Sequence, residues 1–254
     1  MRILFFRLLS WITGIAGALI AWWQWQHPLT YPWAILLFLV WYALALVLLA
    51  AHRLTWRDAF EKIIPSILVM VGVSLGFLMA ESNLMRWIIS ILFVGIPFLV
   101  IELLFLMIFA PTRYPVSGLS RVNIMLIPIG AFFFGAVLNE MSVFLRISLW
   151  IPLVVLAMFA GLTFFLTSHP SADHHHRKRW GSLGVIVGLH IAMIGLLLPV
   201  SMFVHGALAS LCIGFPLRLR RYAYAPKPSV HFAWAEGVLG ALLFGLLLVT
   251  SRWV

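Results

Sequence analysis

Only seven acidic residues are available to this 254-residue chain for acid–base chemistry, and Glu102 is the one set deepest in an apolar run. It lies roughly 12 Å in from the inner end of its run, at 1.5 Å per helical residue. Phe98, Leu99, Phe105 and Leu106 are its neighbours three and four positions away, so no local cation can pair with it. A lone charge in lipid costs at least ~2.5–3.5 kcal/mol. The carboxyl must therefore be protonated, bonded across helices, or facing a wet cavity. Arg7 and His190 stand at similar depth, which makes Arg7, Glu102 and His190 a candidate intramembrane polar network. Pro97 should kink the same helix and free carbonyls, favouring a cavity. Glu102 reads equally as a functional carboxylate and as a structural hydrogen-bond partner.

Glu236 is the other catalytic candidate, at the inner entrance of the last apolar run, where it could equally be a solvated or helix-capping carboxylate. His190 reads as a hydrogen-bonding histidine within a bundle. A bis-histidine haem would need a second histidine at its depth, yet His205 falls near the opposite surface and His52 and His231 near the inner one. His174, His175 and His176 are consecutive, so they cannot converge on one ion from an ordered helix or strand, and a flexible basic loop is the expected form of that segment. Cys212 is alone, so no disulfide can form within the chain. The sequence holds no H-E-x-x-H, no G-x-S-x-G, no phosphate loop and no Asp-rich prenyl-diphosphate motif. No cofactor and no metal are expected.

These residues must be carried by helices in a bilayer. Apolar residues make up 64% of the chain and charged residues 9%, and the mean hydropathy is +1.10, which excludes a soluble domain, where about a quarter of residues are charged. Long continuous apolar runs without period-two alternation select helices over a barrel. Nine crossings are predicted, at 3–22, 33–51, 63–80, 87–110, 122–139, 146–167, 181–199, 202–217 and 233–250. The fold class is an all-α integral membrane bundle of nine transmembrane helices in one polytopic domain. A stretch resembling a signal sequence opens the chain, but the Trp22-Trp23-Gln24-Trp25 cluster suits an interfacial belt better than a cleavage site, so the first helix is retained.

Charge sorts the loops. Of the seventeen Lys and Arg residues, all but Arg86, Arg146 and Arg252 fall on one side of this topology. By the positive-inside rule that side is cytoplasmic, giving N-in and C-out in an inner (plasma) membrane. The 181–217 stretch is the tightest fit, because it must either cross twice or re-enter. The cationic face built by Arg177, Lys178, Arg179, Arg218, Arg220 and Arg221 is expected to meet anionic lipid head groups or an acidic partner, and nucleic acid is not needed to explain it.

Glycine adds a packing expectation. Helices of odd number carry most of the glycines, including Gly72-xxx-Gly76 and Gly184-xxx-Gly188. Close backbone approach in lipid needs small residues, so either odd helices pack centrally and even helices face lipid, with Ala157→Leu tolerated, or glycine is simply common in membrane helices. Two outer turns, Glu81 to Arg86 and Glu140 to Arg146, share a Glu-first, Arg-later pattern and suggest repeated helical hairpins.

The leading expectation is a non-enzymatic protein, either a membrane subunit or scaffold of a larger assembly, or a small permease-like carrier of an apolar or amphipathic molecule. Few intramembrane charges argue against ion-driven transport of a hydrophilic solute. The alternative is a lipid-modifying enzyme at the cytoplasmic interface, using Glu102 or Glu236 as acid/base with basic loops holding a phosphate head group.

Overall fold

The computed structural model describes residues 2–115, 117–144, 146–168, 174–198, 200–223 and 230–251. Among them the chain is helical throughout, with no strand. In order come α1 (Arg2–Gln26), α2 (Trp33–Ala50), α3 (Trp56–Leu75), α4 (Asn83–Phe109), α5 (Gly118–Phe144), α6 (Trp150–Leu166), α7 (His174–Leu197), α8 (Met202–Ala223) and α9 (Val230–Thr250). Eight of these are long and apolar enough to cross a membrane, which makes this a multi-pass membrane protein. The exception is α6. Its 17 residues reach about 26 Å, short of a hydrocarbon core of ~30 Å.

Several helix ends differ from the sequence expectation, each for a local reason. α3 begins two turns early because Thr55 caps it: the Thr55 hydroxyl oxygen accepts from the Asp58 backbone N–H at 3.2 Å. The pair Arg57–Glu61 then supports the charged first turns. Hydropathy alone discards these turns. α5 runs on to Phe144, so Glu140 is helical, whereas Glu81 lies in the turn before α4. The two outer turns thus have different conformations despite their matching residues. α6 starts late because Arg146 adopts a positive φ of 49°, which turns the chain out of helix. His174, His175 and His176 open α7 rather than a loop, and successive side chains there diverge by about 100° around the axis. The rest of that expected loop, 169–173, lies outside the described residues, as do 224–229 and the side chain of Arg221. α8 is one continuous helix of 22 residues.

The chain forms two compact units, Met1–Asn123 and Ile124–Val254. In the first, Phe6 stacks on Phe109 and meets the edge of the His52 ring. That cluster gathers the start of α1 and the ends of α2 and α4 at one end, with Arg7, Arg53 and Arg57. At the other end Arg86 lies over the Trp25 ring, and Trp25 Nε1 donates to Ser90. Arg86 thus lies at the opposite end of this unit from Arg7, Arg53 and Arg57.

In the second unit α6 and α7 pair antiparallel along a seam of small residues. A methyl group on Gly184 would stand 2.5 Å from the Ala160 carbonyl oxygen, and one on Gly188 would meet Ala157 Cα at 2.8 Å and the Leu156 carbonyl. Gly135 of α5 likewise faces His205 and Ala209 of α8, and Gly206 answers against Phe132. These glycines join odd helices to even ones. The expected division into a central odd set and a lipid-facing even set is overturned: α9, odd and glycine-rich, has no buried residue, while Ala157 of α6 is buried in the seam.

Candidate functional site

Glu102 comes from the last third of α4 and meets α1. The Ser10 hydroxyl, fully buried, lies 3.0 Å from Glu102 Oε2 and 3.1 Å from the Arg7 carbonyl oxygen, and its single proton serves one or the other. The connection from Arg7 to Glu102 thus passes through a backbone carbonyl and a serine. The Arg7 side chain itself is exposed. Trp11 packs edge-on against Phe98 one turn below. Ser10 was not singled out from sequence. A hydroxyl at its depth facing a helix with one carboxylate was the signal that could have found it.

Near the same end of this unit an apolar cleft of about 350 Å³ opens between α2 and α3, lined by residues including Val47, Ala50, Leu54, Trp56 and Ile63. Arg53 and Arg57 flank it in sequence and are exposed.

His190 belongs to the other unit. Its Nδ1 lies 2.8 Å from the carbonyl oxygen of Ile186 one turn back, so that nitrogen donates to it. The ring is exposed and lines a cavity of about 530 Å³ between α7, α8 and α9 that is broadly open to the surface. Cys212, Phe215, Pro216, Gly237 and Phe244 are among the other lining residues. α9 stands off there at Gly237, where a methyl would meet nothing within 4 Å, and comes close at Gly240, which rests on the Phe215 ring.

Two of the sequence candidates meet next to this cavity. Arg218 of α8 donates from Nε and Nη2 to Glu236 Oε1 of α9, at 3.2 and 3.1 Å. The spacing explains why they lie there. Leu211, Phe215 and Arg218 follow one another at four and three residues along one face of α8, and Glu236, Gly240 and Phe244 recur every fourth residue on α9. Counting from the helix ends, the pair sits ~8 Å deep and the cavity lining ~10–24 Å deep. Glu236 is therefore a carboxylate held by a cation, with 15% of its side chain exposed against 63% for Arg218. Arg177, at the start of α7, is buried, Lys178 and Arg179 are exposed, and Arg220 is half-buried.

A further polar group lies at the opposite end of this unit, and sequence reading passed over it. Asn139 of α5 is 3% exposed, with its amide against Gly195 of α7, and neither amide atom has a hydrogen-bond partner among the described residues. His205 Nε2 is 3.2 Å from the Leu198 carbonyl oxygen. Among the described residues no group of three metal-binding side chains converges. No family model, curated protein or solved structure matches this chain.

Proposed function

We propose that this protein is a non-enzymatic carrier of an amphipathic molecule, held between α7, α8 and α9. It would lie in the inner (plasma) membrane with its N-terminus and basic ends cytoplasmic. The observation that carries this is the 530 Å³ cavity lined almost wholly by apolar side chains, next to which the Arg218–Glu236 pair lies. Its volume falls within the ~300–1,000 Å³ of small-ligand sites. An apolar body with one polar end suits that arrangement, and a hydrophilic solute would leave the lining unsatisfied. Native mass spectrometry of the protein in mild detergent tests it. Wild type should retain a small amphiphile that Gly237→Leu, which places a side chain in the open space of the cavity, releases. Identical retention by both would end the proposal.

A second reading, a membrane subunit or scaffold, is favoured by α9. Phe232, Trp234, Leu239, Leu242, Leu246 and Val249 are all exposed on it. A partner helix would use that surface, and cross-linking from position 242 would report one. The lipid-modifying enzyme has less support: Glu236 is neutralised by Arg218, and the Glu102 oxygen facing α1 is engaged by Ser10.

A further inference from the structure

The carrier reading says nothing about the polar end of the cargo. We infer that the cavity selects a single-chain amphiphile with an anionic head, carboxylate or phosphate, and that Glu236 is the built-in competitor that this head must displace from Arg218. This inference rests on the carrier reading of the same cavity.

The argument begins with the donors. A guanidinium has five N–H groups in a planar fork. Glu236 engages only the Nε and Nη2 edge of this fork, on the single oxygen Oε1, so at least three remain. The Arg218 side chain is 63% exposed, which leaves those donors accessible. An incoming carboxylate or phosphate can use them in the side-by-side geometry that arginine favours for these groups. A neutral head group gains no such charge-assisted bonds, and a cationic one meets repulsion.

Position supports the same reading. Arg218 and Glu236 continue, by one turn, the faces of α8 and α9 that line the cavity. An amphiphile whose chain occupies the space beside Phe215, Gly237 and Phe244 therefore has its head at the depth of this pair, ~8 Å from the helix ends. The volume of about 530 Å³ lies in the lower part of the small-ligand range, which suits one chain rather than the two of a phospholipid. His190, the one ionisable side chain besides Cys212 in the lining, directs Nδ1 at the Ile186 carbonyl oxygen. No Lys or Arg lines the cavity itself, so among the described residues the Arg218 guanidinium beside it is the group placed to meet an anionic head.

Glu236 then has a definite consequence. In the empty protein it neutralises Arg218 and keeps a lone cation from standing at the cavity. On binding, the head group must compete with it, so Glu236 weakens anionic cargo while leaving neutral cargo unaffected. Removal of either partner should move affinity in opposite directions, which a purely structural ion pair cannot do.

Equilibrium binding to the full-length protein in neutral detergent, by scintillation proximity, tests this with three radiolabelled probes: palmitate, hexadecyl phosphate and methyl palmitate. Wild type should prefer the two anionic probes to the ester. Glu236→Gln should bind both anionic probes about fivefold more tightly, and Arg218→Gln should lose tenfold or more on both, with the ester unchanged in each variant. Weaker anionic binding in both variants would make the pair structural and overturn the inference. Equal affinity for acid, phosphate and ester in every variant would overturn it while leaving the carrier reading intact. Gly237→Leu separates the two levels: it should reduce all three probes, and unaltered binding there would sink the carrier reading itself. A preference for palmitate alone or for the phosphate alone names the head group and sustains the inference. Thermal unfolding of each variant confirms that it is folded.

Discussion

The α6–α7 seam and the α8–α9 contact use the same residue to opposite ends. Along α7, Gly184 and Gly188 let the backbone of α6 approach until a methyl group would collide with the Ala160 carbonyl and with Ala157, and at Gly181 it would be tight against Phe165. Along α9, Gly237 and Gly245 face nothing within 4 Å, and only Gly240 touches a neighbour, the Phe215 ring. In one place absence of a side chain creates contact, in the other it creates space. Lipid offers no hydrophobic force between helices, so dispersion along a close seam must hold α6 and α7 together. α9 lacks that seam and meets α8 through the Arg218–Glu236 ion pair, the Phe215 ring against Gly240, and Phe244, Leu247 and Leu248 packed on the Val200, Val204 and Leu208 cluster. Glycine content therefore does not report packing. What faces the glycine does.

Mutations at the seam should have the largest effect. Gly188→Leu must push α6 and α7 apart, with a loss of at least ~1–3 kcal/mol, read as a lowered midpoint of thermal unfolding in detergent. Should Gly188→Leu unfold like wild type, the seam is not what stabilises this unit. Next comes Ala157→Leu, on the other side of the same contact. Its residue is buried against Gly188, so a loss of similar sign and somewhat smaller size is expected, contrary to the tolerance expected from sequence. Measured beside Gly188→Leu, it tells whether α6 is an equal partner or a bystander.

Smaller still is the change at the polar contact of the first unit. Glu102→Leu removes the acceptor from Ser10, but that hydroxyl keeps the Arg7 carbonyl at 3.1 Å, so a loss of about 1 kcal/mol is expected. Glu102→Gln keeps an acceptor oxygen and should unfold like wild type. If Gln instead abolishes a complementing activity with stability intact, the carboxyl must ionise for function. Least of all is expected from Gly245→Leu, within ~0.5 kcal/mol of wild type. A large destabilisation there would mean that α9 is covered by a partner, and the contrast with α7 would fail.

The chain patterns that survive in the structure are those set by solvent. Composition and run length alone require apolar helices, because an unsatisfied backbone polar group in lipid is too costly for any other form. The charge pattern around Arg7, Arg53, Arg57 and Arg86 is legible for the same reason, since each residue answers to water or hydrocarbon independently of its neighbours. Helix ends were read poorly where a cap or a turn residue decides, as at Thr55 and Arg146, since hydropathy does not register one hydrogen bond or one dihedral angle.

Partnership was beyond the sequence. Nothing in the spacing of Glu102 says that Ser10, ninety-two residues away, will hold it. Arg218 and Glu236 were read separately, as a lipid-binding cation and a solvated carboxylate, and became one ion pair beside a cavity only once α8 and α9 were packed. The sequence determined which segments are helices in a membrane, because burial in lipid is a property of each segment. Tertiary structure alone decided which glycines close a contact and which open a space, because that depends on the surface each helix meets.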